Sequence, residues 1–521
     1  MQKYPIGIQN FKELITGGYV YVDKTEHIYQ LATLGKYYFL SRPRRFGKSL
    51  LISTLEALYE GQKELFDGLW IADKWDFTKT NPVIAVYFNM LQLRGNSLDY
   101  VLQQSIQNQA TELGIVLDDE QYREAKNKSG FLFQELIRKL HVKTGRKVVV
   151  LIDEYDKPIV DFLEDLPTAQ TNRDILKSFY GILKPADEHL ELVLLTGVSK
   201  FSKVSIFSDL NNLRDITLNP MFADLVGISQ TELESNFKNE IQELADEKNI
   251  TQPTFLAQIK RWYNGYSWDG KKRVYNPFSL LNFFGDRGNF QNYWFSTGTP
   301  TWLVKLAKDA FVYDFSNLVV DEGDLNAFDI SNLQPIPLLF QTGYLTIESY
   351  SPTDYLYTLN YPNEEVRLSL TQYLLRAFRH NDAESPLPMV VKLRNALQTN
   401  DIETAIEVVN TVFASLPYDL WQTENERFYH ALIHLTFVLL GVYVQSEVHT
   451  ARGRCDALVQ TEKYIYAFEF KLDKSAQEAI AQIEAKGYLL PYAQSGKTRV
   501  GVGINFSTPQ KAVSDWLVKT Y

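Results

Sequence analysis

The 521-residue chain contains a single cysteine, Cys455, which excludes an intramolecular disulfide framework and fits a reducing compartment. Long apolar runs are also missing. The most apolar long window, Ala431 to Val444, has 14 residues and is broken by His434 and Thr436, too short to span a bilayer. The N-terminal MQKYPIGIQN has no apolar stretch behind a basic start, so no secretory signal is expected. No repeat or low-complexity tract interrupts the chain. These absences predict a cytoplasmic protein with no membrane partner. An excess of positive charge is lacking too, since the net charge is −10. That balance argues against a surface coated for nucleic acid, but it is uneven. Trp421 to Tyr521 holds 11 Lys+Arg against 10 Asp+Glu, which leaves 42 against 53 for the rest. The C-terminal segment is the less repulsive part for a polyanion.

What is present is ordinary globular material, 45% hydrophobic and 22% charged, with length for roughly two to four domains. The first 220 residues alternate apolar β-rich runs with helical periodicity, the pattern of a parallel sheet flanked by helices. Strands are expected at 37–40, 83–89, 148–152 and 192–196, with a fifth at 215–218. Helices are expected after Lys48 and around 98–113, 131–141 and 172–183. Residues 221–410 read as a helical lid or accessory region, aromatic-rich up to about residue 350. From 411 to 521 the order is helix, strands, helix, with strands near 442–449, 454–460 and 464–471. The expected fold is α/β throughout: a nucleotide-type parallel sheet over 1–220, a helical middle over 221–410, and a smaller α/β domain over 411–521.

The stretch RPRRFGKSL, Arg42 to Leu50, ends as a phosphate loop ends, in Gly47-Lys48-Ser49. The first glycine of that pattern is missing, because Arg42 stands in its place. The context fits a nucleotide site even so. An apolar strand precedes the loop and an amphipathic helix follows, so backbone N–H groups of Arg45, Phe46, Gly47, Lys48, Ser49 and Leu50 can face phosphate. Lys48 suits the β/γ-phosphates and Ser49 suits Mg²⁺. In VVVLIDEYDKP, Asp153 follows the most hydrophobic strand, the usual place for a second Mg²⁺ partner, and Glu154 suits a base that polarises the attacking water. In LVLLTGVSKFS, Thr196 ends a buried strand and can sense the γ-phosphate or position water, with Ser199 close behind. Arg42, Arg44 and Arg45 either supply charge to the nucleotide or form a solvated basic turn.

Tyr21–Leu31 (YVDKTEHIYQL), FLSRPRRFGKSLLISTLE and LIDEYDKP together resemble the AAA-ATPase-like domain of bacterial proteins, over roughly residues 4–215. In that family the arginine-rich loop is the usual form. The resemblance implies ATP and Mg²⁺ as cofactors, with Lys48, Ser49, Asp153 and Glu154 in the roles just given. Asp23-Lys24-Thr25 would be a family feature near the nucleotide; from the residues alone a helix cap is the plainer account.

A second constellation is GRCDALVQTEKYIYAFEFKLDK. Two β-rich segments flanking TEK read as a hairpin. Glu469 and Lys471 are two apart and share a face, while Phe468 and Phe470 face the other way. The hairpin can therefore gather Asp456, Glu469 and Lys471. Two convergent carboxylates favour a hard cation such as Mg²⁺ between them, and a lysine beside it suits phosphodiester cleavage. Glu426, on a helix with His430 and His434, can complete the metal shell; the histidines read better as core or interface residues. Downstream, Gln482 and Lys486 share a helix face. Taken alone, E-x-K on a strand is more often a weak surface ion pair.

The order of these residues resembles the PD-(D/E)XK nuclease superfamily over about residues 410–510. The resemblance implies a restriction-endonuclease-like domain with Asp456, Glu469 and Lys471 as catalytic core, Glu426 as a further ligand, and Gln482 and Tyr488 on the following helix. The reading that results is an ATP-binding and ATP-hydrolysing protein whose Mg²⁺-dependent nuclease acts on nucleic acid, DNA in the first place. ATP gating, a homo-oligomer borrowing Arg173 or Arg214, and a role in defence or mobile-DNA handling are expectations attached to it. The competing reading is a nucleotide-controlled switch that binds nucleic acid or protein without cutting; a scaffold with two vestigial sites is a third. WYNGYSW reads as aromatic core before it reads as a base-stacking surface.

Overall fold

The computed structural model describes residues 3–118, 121–122, 127–200, 207, 210, 212–295, 301–326, 332–379, 385–414, 426–441, 445–447, 455–510 and 512–521, without the side chains of 301, 414, 426–430 and 445–447. The most hydrophobic runs form the first sheet: β1 Tyr37–Ser41, β2 Val83–Tyr87, β3 Val148–Asp153, β4 Leu190–Gly197 and β5 Arg214–Asp215. All its pairings are parallel, in the order β2-β3-β4-β1-β5. β3 is buried at every position and β4 at all but Glu191, as required of strands covered by helices on both faces. Because every strand runs the same way, the tips of β1, β3 and β4 lie side by side along one edge, where ligands of open parallel sheets bind.

The expected strand at 215–218 shortens to β5. Thr217 leaves the ladder because its hydroxyl accepts the Ser41 N–H, and its own N–H goes to Asp215 Oδ1. β2 likewise stops at Tyr87 and the chain tightens into a 3₁₀ turn over Phe88–Met90.

Further along come the two-stranded pair β6 Ile228–Ser229 and β7 Val274–Tyr275, and the antiparallel β8 Leu318–Asp321, β9 Thr346–Ser351 and β10 Leu356–Asn360. The middle of the chain is thus helical with two small sheets. Among the described residues the chain divides into two compact units, Met1–Thr297 with Asn317–Asn363, and Gly298–Ser316 with Glu364–Tyr521.

The second unit carries β11 Gln445–Glu447, β12 Ala457–Gln460, β13 Tyr464–Leu472, β14 Thr498–Ser507 and β15 Ala512–Thr520, in that sheet order. β12 and β13 form the expected hairpin, β13 and β14 run parallel, and β15 closes antiparallel on β14. The parallel β13–β14 pair needs a crossover, and the helix Ala476–Lys486 supplies it. Ile480 and Ile483 of that helix pack with Leu458, Ile465 and Ala467. Among the described residues no helix is long and apolar enough to cross a membrane.

Candidate functional site

The tip of β1 leads into the loop. Gly47 caps the helix Lys48–Tyr59 in the left-handed region, with no side chain satisfying the first-turn N–H groups. Such an uncapped start offers donors to an anion. The missing first glycine is explained by where the backbone turns. Positive φ falls at Arg45 (68°) and Gly47 (93°), not at residue 42. Arg42 therefore needs no special conformation, and its side chain is 0% exposed. Its guanidinium donates to the carbonyls of Ser41, Thr217 and Phe222 and lies 3.9 Å from the Trp268 ring. Burial pulls its pKa down to about 9, against the pull of Asp215, Asp269 and Asp224. This corrects both expectations for Arg42: it neither faces a nucleotide nor forms a solvated turn. Arg44 and Arg45 are exposed.

Lys48 is buried, and its ammonium donates to the Arg42 and Pro43 carbonyls at 2.9 and 2.8 Å. Burial lowers its pKa, with Asp153, Glu154 and Asp156 opposing. Ser49 donates to Asp153 Oδ2 at 2.5 Å, and Thr196 donates to Asp153 Oδ1 at 2.5 Å. One carboxylate thus ties together the tips of three neighbouring elements. The residue after it, Glu154, sits at φ 56°, which costs a non-glycine residue roughly 1–2 kcal/mol. Burial raises its carboxyl pKa, with Lys48 opposing. A carboxyl held at a strained backbone position beside a buried lysine is chemistry suited to handling a water proton.

The sequence reading missed Asp156. It is 2% exposed and accepts from the Val198 and Ser199 N–H groups and from the Ser199 hydroxyl, so it fixes the turn after Thr196. Its signal was a second aspartate in LIDEYD, three residues after the first. The Phe46 ring is buried against Tyr266 and Trp268, which leaves its backbone to meet the site. WYNGYSW is accordingly packing in its second half, with Tyr266 and Trp268 both buried. Arg173 pairs with its neighbour Asp174, and Arg214 is exposed on β5. Lys24 is the N-cap of the helix Thr25–Leu34 and makes no side-chain cap bond; Asp23, one residue earlier, accepts from the Thr25 and Trp70 N–H groups, and Lys24 binds Glu232.

The second cluster forms on β12 and β13. Ala457 pairs with Phe468, and the register continued by one residue sets Asp456 opposite Glu469. Asp456 Oδ2 accepts from the Phe470 N–H at 2.8 Å, which holds it beside the strand. Lys471 donates to Glu469 Oε1 and to Gln482 Oε1, each at 2.8 Å. Gln482 reaches because its helix lies close on the sheet. A Cβ at Gly503, the β14 neighbour of Glu469, would stand 2.6 Å from the Ala476 carbonyl. Lys486, by contrast, is exposed.

Glu469 is 2% exposed, and its Oε2 is buried with no hydrogen-bond partner. Burial and then the Asp456 charge push its pKa up to about 7. An orphaned carboxylate oxygen beside a second carboxylate fits a divalent cation. Asp456 and Glu469 would give such an ion two ligands, and the described residues hold no group of three His, Cys, Asp or Glu side chains placed for a metal. The Glu426 and His430 side chains lie outside the described residues, on the helix Glu426–Leu440. His434 is buried against Tyr313, 3.8 Å from Asp314, as a core histidine would be.

Two expectations follow from this cluster. Glu469 titrates near 4.5 unfolded and about 7 folded, so its contribution to stability is present below the lower value and lost as pH rises through the upper one. Metal-free Glu469→Gln should therefore melt above wild type at about pH 8 and match it at about pH 4, read by thermal unfolding. Cys455 donates to the Ala457 and Phe468 carbonyls, and burial raises its thiol pKa. It should resist a thiol reagent in the native protein and react fully in denaturant.

Comparison with known proteins finds family likeness over both regions. Residues 5–207 match a family model described as a predicted AAA-ATPase, and residues 424–516 match one described as the PD-(D/E)XK nuclease superfamily. The chain belongs to the AAA-ATPase-like proteins that carry a C-terminal PD-(D/E)XK nuclease superfamily domain. An uncharacterized protein in the vnfD 5′ region of Azotobacter chroococcum mcd 1 is 37% identical over 532 residues, covering 100% of this chain and 99% of the relative. No solved structure matches.

Proposed function

We propose that this chain binds and hydrolyses ATP at the β1–β3–β4 edge and cuts nucleic acid phosphodiesters at the Asp456–Glu469–Lys471 cluster. The observation that carries the second half is the buried, partnerless Glu469 Oε2 beside Asp456, with Lys471 already drawn onto Glu469. In the first site, Lys48 and the N–H groups of residues 45–50 bind the phosphates, Ser49 and Asp153 hold Mg²⁺, Thr196 orients Asp153, and Glu154 takes the water proton. In the second, Asp456, Glu469 and Glu426 hold Mg²⁺, and Lys471, positioned by Gln482, meets charge that builds on the phosphate. Mg²⁺, when bound, supplies Lewis-acid stabilisation of phosphoryl oxygens at both places.

The pairing of both sites in one chain supports gating of the nuclease by ATP, with rearrangement passing through the aromatic-rich residues 221–350. DNA is the favoured substrate, and defence or mobile-DNA handling the favoured setting. A homo-oligomer lending Arg173 or Arg214 and a cytoplasmic location complete the reading. The test is cleavage of single- and double-stranded DNA and RNA with Mg²⁺ or Mn²⁺ by wild type and Asp456→Ala. Metal-dependent cutting by wild type alone supports the reading. No cutting of any substrate refutes the nuclease half and favours the binding switch.

A further inference from the structure

The loop at Arg42–Phe46 lacks the glycine that lets a phosphate loop turn closely by itself, and every residue of it is held from elsewhere in the first unit. Trp268 stacks on Arg42. Gly343 lies against Pro43: a Cβ there would come within 2.7 Å of the proline ring. The Trp294 indole N–H donates to the Arg44 carbonyl at 3.1 Å. The Phe278 ring lies 5.0 Å from the Arg45 guanidinium. Tyr266 and Trp268 enclose Phe46, and the Gly227 N–H donates to the Phe46 carbonyl at 3.3 Å.

These contacts belong to one connected structure. Trp294 is 6% exposed and its ring packs on Tyr344, the residue after Gly343, and on Tyr266. Trp294 and Tyr266 therefore brace each other as well as the loop. Residues read from sequence as an accessory region thus supply what a glycine-rich sequence supplies locally in other phosphate loops, namely the fixed path of the backbone. Arg45, which carries the positive φ without being glycine, sits next to the carbonyl that Trp294 holds. Its conformation is uphill on its own and persists only where surrounding contacts impose it.

We infer that Trp294 is a positioning residue of the nucleotide site: its indole N–H fixes the Arg44 carbonyl and so sets the loop N–H groups for phosphate. This rests on the ATP-binding reading above. By linkage, a nucleotide that prefers the ordered loop must also strengthen the contact that orders it. Trp294 lies just before Thr297, the end of the first of the two segments that make up this unit.

The test uses the full-length chain and two readouts. Trp294→Phe keeps a ring but deletes the N–H. MgATP affinity is measured by calorimetry for wild type, Trp294→Phe and Lys48→Ala, with nucleotide-free melting temperatures alongside. Loss of one hydrogen bond should weaken MgATP by about five- to tenfold at a melting temperature close to wild type. Protein labelled with 5-fluorotryptophan should show the fluorine resonance absent from Trp294→Phe, and that resonance should move when MgATP is added. A purely structural tryptophan would lower the melting temperature and leave its resonance still. Wild-type affinity in Trp294→Phe with an unmoved resonance overturns this inference while Lys48→Ala preserves the ATP reading. Wild type that binds no MgATP overturns both.

Discussion

Lys48→Ala is expected to abolish the rise in melting temperature that MgATP gives wild type, and to lower ATP turnover by on the order of 100-fold or more. The size follows from the position of the ammonium. Its charge is buried, held by the Arg42 and Pro43 carbonyls, and flanked by Asp153 and Glu154. Arg42 cannot replace it, because its guanidinium turns toward Thr217, Phe222 and Trp268. Arg44 and Arg45 are exposed and can hold part of the binding, so affinity should fall less than turnover. Thermal shift and phosphate release measure the two. An unchanged thermal shift in Lys48→Ala would place the nucleotide elsewhere.

Asp456→Ala carries the second large effect. It removes a carboxylate next to an orphaned one, and with it the charge pair proposed to draw in a cation. It also frees the Phe470 N–H, to which Asp456 Oδ2 is bonded. Metal-dependent cleavage should fall by more than the roughly 10- to 100-fold typical of losing an outer-shell partner. Gln482→Ala should fall within that smaller range, since Gln482 acts through Lys471. Asp456→Ala should also lower the Glu469 pKa from about 7, because the Asp456 charge is the second cause of its rise after burial. A cleavage rate equal to wild type in Asp456→Ala would remove this cluster from the chemistry.

Much of this was legible in the sequence because the chemistry sits at strand ends. Lys48, Ser49, Asp153 and Thr196 each follow or close a run apolar enough to announce a buried strand. Once those strands are parallel, their tips must share an edge. That Glu469 and Lys471 share a face was legible from period two, and the structure joins them at 2.8 Å. What was hidden depends on partners far along the chain. Nothing local to RPRRFGKS says that Arg42 is buried, since Thr217, Phe222 and Trp268 decide it. The strands β14 and β15 were missed although β14 is long. Gly501 and Gly503 lower its β propensity, yet Gly503 is there to admit the helix that delivers Gln482. Asp156 was passed over because a third acid in LIDEYD looks like a solvated one until Val198 and Ser199 are seen donating to it.

The measurement that bears most directly on the account is the initial rate of DNA cleavage by the wild-type chain in Mg²⁺, with ATP, with a non-hydrolysable ATP analogue and with no nucleotide, each repeated on Lys48→Ala. The account predicts that cutting by wild type changes with nucleotide and that Lys48→Ala is held at the nucleotide-free rate whatever is added. Cutting that is identical in all lanes and both proteins would contradict a nuclease under nucleotide control.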